Sequence, residues 1–286
     1  MLEQVDLTRS LPKAAFKRRM PALQERLRVL QRCASDAGVA TILVLEGWDA
    51  SGKGSLVARL VEKLDPRGFK VTPTYAPLPE ELYRPWLWRF WNRLPAYGTM
   101  AVFDRSWYGR VLVERVEKLA SRAEVTEAFN EINDFERALV DDGQVLVKLF
   151  LHISKKEQRK RYEKCEKDPY QRWKIKPEDW RHHREYKQYA QAVEGMLERT
   201  STTPAPWTIV EATDRRWAEV ETFTTLIAAM EARLEKLGKL PAPGAVGPVR
   251  TAAAGSPKAR MPRAKRARRR SAPAPVAAAA GNGPGA

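Results

Sequence analysis

The pattern of apolar and polar positions divides the chain into alternating strands and helices. Ala40–Glu46 is a short continuous apolar run, which is typical of a strand buried on both faces of a parallel sheet. Leu23, Leu27 and Leu30 recur at helical spacing in the stretch 12–36 before it. Further strands are predicted at 69–75, 99–104, 144–153 and 207–212, and further helices at 53–64, 80–93, 108–119, 123–141, 155–167, 178–199 and 215–237.

This regular alternation predicts an α/β fold, with a parallel sheet of about five strands flanked by helices on both faces. We expect the fold to occupy residues 1–239. From Leu240 onward the sequence is rich in Ala, Pro and Gly and contains no Asp or Glu. Because that composition leaves almost nothing to bury, 240–286 is predicted to be a disordered basic tail.

Charge adds a prediction about partners. The 286-residue chain carries a formal net charge of +16, and nine Lys and Arg lie in the predicted tail, so residues 1–239 carry about +7. A basic body favours an anionic partner, which can be nucleic acid, an acidic membrane surface or a phosphate-rich substrate. The cluster 258–270 in the tail either binds polyanions or serves only as a flexible solubilising segment.

Several classes of protein are disfavoured by what the sequence lacks. Cys33 and Cys165 form no CxxC pair, which fits a reducing cytoplasm. No apolar run reaches the ~18 residues of a membrane span, and the first residues lack the profile of a signal peptide. With three histidines, a histidine-rich metal cluster or a Ser-His-Asp hydrolase is not expected. These features predict a cytoplasmic protein without a membrane span.

Candidate chemistry begins at the segment GWDASGKG, residues 47–54, between a predicted strand and a predicted helix. Its G-x4-G-K spacing in that context is typical of a phosphate-binding P-loop, whose backbone N–H groups and helix N-terminus surround phosphate oxygens. Lys53 would add a positive charge at the transferred phosphate. The predicted fold is therefore a P-loop NTPase-like three-layer fold, and the alternative is a glycine-rich turn with a chance lysine. The other candidate phosphate-binding residues of the loop are Gly47, Gly52, Gly54 and Ser55.

Two carboxylates are candidate metal ligands. The position after the lysine, usually Ser or Thr, is Gly54 here, and Asp49 inside the loop offers a carboxylate in compensation. A later apolar strand ends in Asp104-Arg105, the arrangement that places a Walker B carboxylate beside a P-loop. We expect Asp49 and Asp104 to hold Mg²⁺, with Arg105 facing the phosphates. A solvent-facing Asp-Arg pair is the alternative for the second motif.

A basic segment with interspersed aromatic residues, 159–174, predicts a mobile lid that brings cations over the transferred group. Its bounds are set at about 155–180. The alternative is a solvated helix with a charged face.

Five motifs, spread over roughly 40–215, resemble the polyphosphate kinase 2 family when they are taken in order. They are GWDASGKGS, LDPRGFKV, LWRFWNRLP, VFDRSWYGRVLVERV and DPYQRWKIKPED. The resemblance implies Mg²⁺-dependent phosphoryl transfer between inorganic polyphosphate and a nucleotide. It also implies a homo-oligomer. The stretch DRSWYGRVLVERV is more similar to the AMP-phosphorylating type than to the ADP type, although the AMP type often contains two fused copies of the domain.

The resemblance also implies roles for individual residues. Asp49 would orient the accepting phosphate and hold metal, Lys53 would bind phosphates, Asp104 would ligate Mg²⁺, and Arg105 would neutralise the phosphate chain. The remaining implied site residues are Arg110 and Glu114, in the same motif, and the lid cations Arg161 and Lys174.

Two other functions remain open from the sequence. One is an ATP-dependent nucleoside or nucleotide kinase of the thymidylate type, which also uses a P-loop and an Asp-Arg pair. The other is a catalytically silent protein that binds polyanions or nucleic acid.

Overall fold

Five parallel strands form the centre of the molecule in a computed structural model that describes residues 1–240. The strands are β1 Thr41–Gly47, β2 Phe69–Pro73, β3 Met100–Asp104, β4 Val145–His152 and β5 Trp207–Glu211. Their order across the sheet is β2-β3-β1-β4-β5, and every neighbouring pair is parallel. The predicted five-stranded parallel sheet is confirmed.

Ten α-helices are present among the described residues. They are α1 Lys13–Ala37, α2 Lys53–Val61, α3 Pro79–Leu82, α4 Trp88–Trp91, α5 Val113–Val116, α6 Arg122–Asp141, α7 Lys155–Lys167, α8 Pro177–Arg184, α9 Tyr186–Thr200 and α10 Arg215–Lys236. Short 3-10 helices lie at Leu2–Gln4, Pro66–Gly68, Trp107–Val111 and Arg172–Lys174. Within residues 1–240 we find no helix with the length and apolar character that a membrane span requires.

Three stretches that were predicted to be single helices are each divided in the structure, so these predictions are wrong. The stretch 80–93 is two short helices, α3 and α4, because Pro85 lacks an N–H and disfavours a helical backbone at Arg84. The stretch 108–119 begins as a 3-10 helix and continues as α5 after Leu112, whose ψ of −94° interrupts the helix. The stretch 178–199 divides into α8 and α9 at Glu185.

Helices cover the sheet in two groups. α1 packs along α10, where Leu27 and Leu30 are fully buried, and α10 contacts β4. α6 also contacts β4 and packs with α9, which in turn contacts α5. The central strands β1, β3 and β4 are buried along nearly their whole length, so their sequences are largely continuous apolar runs rather than alternating patterns. The edge strands β2 and β5 are only partly buried. The predicted tail, 240–286, lies outside the described residues apart from Leu240.

The strand order places the candidate chemistry at one edge. β1 lies between β3 and β4, so the chain changes direction across the sheet at the carboxyl end of β1. In open α/β sheets ligands bind at such a switch point, outside the carboxyl ends of the strands. Leu45 of β1 lies opposite Asp104 of β3, which brings the P-loop and the Asp-Arg motif to the same edge.

Candidate active site

The loop between β1 and α2 requires glycine at two positions. Gly47 has φ of 146°, and a Cβ there would lie 2.6 Å from the carbonyl oxygen of Leu151 in β4. Gly52 has φ of 106° and caps the N-terminus of α2. Ala50 adopts φ of 58° without being glycine, a strained conformation that tends to occur at functional sites. The loop is thus tightly curled at the N-terminal end of α2, as a P-loop requires.

Lys53 is turned inward, into the loop. Its Nζ donates to the carbonyl oxygens of Gly47 at 2.8 Å and Trp48 at 3.0 Å, and the side chain is buried. Burial, together with the positive charge of Arg105, lowers the pKa of Lys53. Gly54 and Ser55 follow on the exposed first turn of α2. An ammonium whose hydrogen-bond partners are only backbone carbonyls carries no paired carboxylate, so its positive charge is available to an incoming phosphate.

Asp49 and Arg105 form the ion pair at the mouth of the site, with 2.6 Å between Oδ1 and Nη2. Burial by itself would raise the pKa of Asp49, but the hydrogen bond to His182 and the charge of Arg105 hold that pKa well below its usual range. Arg105 has φ of 61°, so its backbone is also strained. The structure brings together the two residues that the separate motifs had nominated, 56 positions apart in sequence.

His182 on α8 was not identified from the sequence, yet it joins this cluster. Its Nδ1 lies 3.2 Å from Asp49 Oδ2 and its Nε2 lies 2.9 Å from Glu117 Oε1. Glu117 also accepts from Arg181 at 2.8 Å and from the Tyr189 hydroxyl at 3.2 Å. The hydrogen bond to Asp49 raises the pKa of His182, with Glu117 adding to the effect. The imidazole therefore links the P-loop to α8, and no local pattern indicates a contact across 133 residues.

The second carboxylate region lies at the ends of β1 and β3. Buried Glu46 accepts a hydrogen bond from the Ser106 hydroxyl at 2.8 Å, and burial raises the pKa of Glu46. Asp104 lies at the end of β3, and among residues 1–240 its carboxylate has no hydrogen-bond partner. Glu46 was missed as a site residue, although it directly precedes the P-loop.

The residues present fit a magnesium ion bound partly through substrate. Within the described part of the chain no three or more His, Cys, Asp or Glu side chains cluster as a metal site. Mg²⁺ is usually held by one or two carboxylates together with phosphate oxygens and water. The unpartnered carboxylate of Asp104 meets that requirement, whereas Asp49 is already bonded to Arg105 and His182.

Arg161 on α7 occupies a different place from a lid cation over the phosphates. Its Nη1 donates to the carbonyls of Ala50 and Ser51 at 2.9 and 3.0 Å, and its Nη2 donates to those of Ala212 and Thr213 at 2.8 and 3.0 Å. The guanidinium thus ties the backbone of the P-loop to the segment after β5. In this structure Arg161 braces the loop, and its expected role as a lid cation stays a prediction.

The other expected site residues lie further out. Lys174 is exposed on the 3-10 turn 172–174, where its ammonium lies 5.7 Å from the ring centre of the adjacent Trp173. Arg110 pairs with Glu114 at 3.1 Å and lies over the ring of Trp86. These three residues, Lys174, Arg110 and Glu114, therefore make no direct contact with the cluster formed by Asp49, Lys53, Asp104 and Arg105.

Two buried hydroxyls near the loop have no partner within residues 1–240, those of Ser51 and Tyr162. Ser51 belongs to the P-loop itself. Tyr162 on α7 is fully buried, and burial together with the charges of Asp49 and Asp179 raises its pKa. Since buried polar groups are nearly always hydrogen-bonded, these hydroxyls indicate a place where substrate or water completes the structure.

A pocket opens beside the Asp49–Arg105 pair. Its polar lining residues are Glu46, Asp49, Arg105, Gln158 and His182, next to the P-loop. Its apolar lining residues include Leu112, Val113, Phe150, Tyr189 and Val193. A pocket lined by both charged groups and apolar surface suits a ligand with a phosphate end and a ring system, such as a nucleotide.

Comparison with known sequences decides the family. The sequence profile described as Polyphosphate kinase 2 (PPK2) matches residues 10–237. The chain belongs to the polyphosphate kinase 2 family. A polyphosphate:AMP phosphotransferase of Pseudomonas aeruginosa is 45% identical over 236 residues, covering 82% of this chain and 48% of that protein. An ADP-polyphosphate phosphotransferase of the same species is 35% identical, covering 81% of this chain and 76% of that protein.

The fold agrees with this assignment. A crystal structure assigned to polyphosphate kinase 2 of Pseudomonas aeruginosa PA01 superposes with a TM-score of 0.80 at 45% identity, covering 82% of this chain and 51% of that one. The P-loop NTPase-like fold expected from the sequence is confirmed. The chain spans about half the length of the AMP-phosphorylating relatives it matches.

Proposed function

We propose that this polyphosphate kinase 2 family protein transfers the terminal phosphoryl group of inorganic polyphosphate to AMP. The observation that carries the proposal is the Asp49–Arg105 pair near the inward-turned Lys53, beside a pocket lined by both charged and apolar residues. In this arrangement the nucleoside occupies the apolar part, and its phosphate meets the donor chain at the P-loop.

The reaction requires positioning and charge rather than a covalent intermediate. An oxygen of the AMP phosphate attacks the terminal phosphorus of the chain, and the bond from that phosphorus to the bridging oxygen breaks. The departing polyphosphate, one phosphate shorter, keeps the electron pair, and AMP becomes ADP. Lys53 and Arg105 offset the charge that accumulates on the phosphate oxygens in the transition state. Asp49 and His182 hold Arg105 and the loop in place, so little reorganisation is needed when the reaction occurs.

A divalent metal belongs to the proposal, since phosphotransferases of this family generally depend on one. Asp104, with its unpartnered carboxylate, would hold Mg²⁺ first, and Asp49 would join when its cationic partners turn to the substrate. When bound, Mg²⁺ would neutralise negative charge on the phosphate oxygens of the substrates.

AMP is favoured over ADP by the pattern of similarity. Three AMP-phosphorylating relatives are 45%, 44% and 40% identical to this chain, whereas an ADP-using relative is 35% identical. The same proposal includes ADP as a second acceptor, because the polar lining residues of the pocket lie next to the P-loop.

A donor–acceptor assay tests the proposal. Purified protein and Mg²⁺ are combined with AMP or ADP, each with polyphosphate or with ATP as donor. We expect product from AMP with polyphosphate and without ATP. Product from ADP only would overturn the acceptor assignment, and product with ATP only would indicate a nucleotide kinase. Binding of polyphosphate without turnover under any condition would contradict catalysis altogether.

Three expectations from the sequence stay predictions alongside this function. They are the cytoplasmic location, the homo-oligomer and the lid formed by about 155–180. Polyanion binding by the tail concerns residues that the structure does not describe.

A further inference from the structure

A second basic pocket lies away from the P-loop, between α5, the start of α6 and the end of α9. Four cationic side chains surround it: Arg115, Lys118, Arg122 and Arg199. Its floor includes the buried side chains of Val125 and Phe129. The catalytic cluster contributes none of these residues.

The four cations have no carboxylate partner within residues 1–240, and all four side chains are exposed. Elsewhere in the described chain many arginines, such as Arg26 and Arg59, pair with nearby glutamates. Like charges gathered around a concave surface raise the local potential and attract anions. The pocket therefore holds positive charge that the protein itself does not balance.

Packing holds two of these cations in position. The guanidinium of Arg199 lies 3.8 Å from the ring centre of Phe129, a close cation–π contact. Arg115 lies along α9, where a Cβ at Gly195 would come within 3.3 Å of its Nη1. Ordering of the side chains before binding reduces the entropy that a ligand must overcome.

The start of α6 adds to the positive potential. This helix has 20 residues, its N-cap is Ser121, and Arg122 is its first residue. The N-terminal end of a helix dipole favours anions. Glu124 lies in the same turn, but its carboxylate is bonded to the Ser121 backbone N–H at 2.7 Å and is not among the residues that line the pocket.

We infer that this pocket binds an inorganic oligophosphate, at a site separate from the catalytic one. Arginine guanidinium groups match phosphate oxygens in a fork geometry, and four cations suit an anion with several negative charges. A nucleobase is disfavoured because Arg199 already covers a face of Phe129, the aromatic ring in the floor. Binding here does not depend on the proposed reaction.

The two pockets are connected through α9. Tyr189 and Val193 line the catalytic pocket, and Arg199 lines the basic one. Arg199 lies six positions after Val193, which is about 9 Å along a helix at 1.5 Å per residue. The basic pocket is thus near the catalytic pocket but shares no lining residue with it.

Isothermal titration with tripolyphosphate, without metal or nucleotide, tests the inference. The variant Lys118→Gln/Arg122→Gln removes two positive charges from the pocket. The control Lys17→Gln/Arg18→Gln removes two positive charges from exposed, unpaired positions of α1 in the described chain. We expect two binding events per chain in the wild type and in the control, and a loss of at least tenfold in affinity for one of them in the pocket variant.

Tripolyphosphate binding that is unchanged in the pocket variant would overturn the inference, and so would an equal loss in the pocket variant and the control. Thermal unfolding should be the same for the three proteins, because the substituted side chains are exposed. If the double variant unfolds early, Lys118→Glu alone provides the same test. Turnover of AMP with polyphosphate, measured on the same samples, reports separately on the proposed reaction.

Discussion

Two ion-pair clusters in this molecule differ in how completely the protein satisfies them. Lys148 of β4 and Glu136 of α6 are 0% and 1% exposed, with 2.6 Å between Nζ and Oε2. The ammonium also donates to the Thr200 carbonyl, and Glu136 accepts from Trp107 and Tyr108. The second cluster, Asp49 with Arg105, is 18% and 49% exposed and faces a pocket.

The difference separates a structural role from a chemical one. The Glu136–Lys148 pair is enclosed and hydrogen-bonded to Trp107, Tyr108 and the Thr200 carbonyl, so its charges are satisfied within the protein. Around the Asp49–Arg105 pair, by contrast, Asp104 lacks a partner in the described chain and Lys53 bonds only to backbone carbonyls. Charge that the protein leaves partly unsatisfied is available to substrate.

The largest effect on stability is expected from Lys148→Met. This change leaves the carboxylate of Glu136 buried without its cation, which typically costs about 3–5 kcal/mol. Urea unfolding should show a loss of that size in the free energy of unfolding. Adding Glu136→Gln, which keeps an acceptor for Trp107 and Tyr108, should restore part of the loss. A loss below about 1 kcal/mol in the single variant would contradict a structural role for the pair.

Lys53→Ala should have the opposite profile, with activity lost and stability retained. Removing one preorganised charge from a transition state typically lowers kcat by about 10²–10³-fold. The assay is phosphoryl transfer from polyphosphate to AMP at saturating substrate. Lys63→Ala, an exposed lysine just after α2, is the matched control and should keep normal turnover. Normal turnover in Lys53→Ala as well would remove the P-loop assignment.

A smaller effect is expected from His182→Asn. It removes the bridge between Asp49 and Glu117, and a hydrogen bond to a charged group is worth about 1.5–3 kcal/mol, so kcat/KM for AMP should fall at least tenfold. His182→Gln, whose longer amide reaches further, should recover part of the loss. Urea unfolding should show a smaller loss in both variants than in Lys148→Met, because His182 is only partly buried, and a loss as large as that of Lys148→Met would place His182 with the structural cluster instead.

The smallest effect concerns an exposed pair that serves as a reference for both clusters. Hydrogen bonds from the Arg67 side chain and backbone lower the pKa of Asp65 to about 2 from its usual 3.8. A carboxylate with a lowered folded-state pKa stabilises the protein above its unfolded pKa, and that stabilisation disappears as pH falls towards 2.

Asp65→Asn keeps an acceptor oxygen for the N-cap of the 3-10 helix 66–68 and removes the charge together with the second acceptor for Arg67. Thermal unfolding across pH should show a slightly lower Tm than wild type near neutrality and no difference near pH 2. A difference that persists at pH 2 would show that the effect does not come from ionisation.

Patterns in the local sequence were enough to predict the sheet and about half of the residues of the candidate site. The apolar runs predicted all five strands because parallel strands buried on both faces leave few alternatives. The P-loop spacing brought Asp49 and Lys53 into one turn, and the strand-end motif placed Asp104 and Arg105 at the same edge of the sheet. These predictions concern residues close in sequence or strands adjacent by topology.

Predictions that required long-range contacts fared differently. The helices 80–93, 108–119 and 178–199 are divided, since packing and a proline override helical spacing. Arg161 bonds to backbone carbonyls of the P-loop and of the segment after β5, contacts that the lid motif did not indicate. Glu46 and His182 were not recognised, because a carboxylate and an imidazole gain their roles here from partners 60 and 133 positions away.

The sequence by itself determined the fold class, the phosphate loop and the membership of the family, because these depend on periodicity and on short motifs. Only the tertiary structure decided which charges are enclosed and which remain available. Whether a lysine pairs with a buried carboxylate, as Lys148 does, or bonds only to the carbonyls of the P-loop, as Lys53 does, depends on what surrounds it in space. That surrounding is assembled from segments far apart in the chain, so no local pattern encodes it.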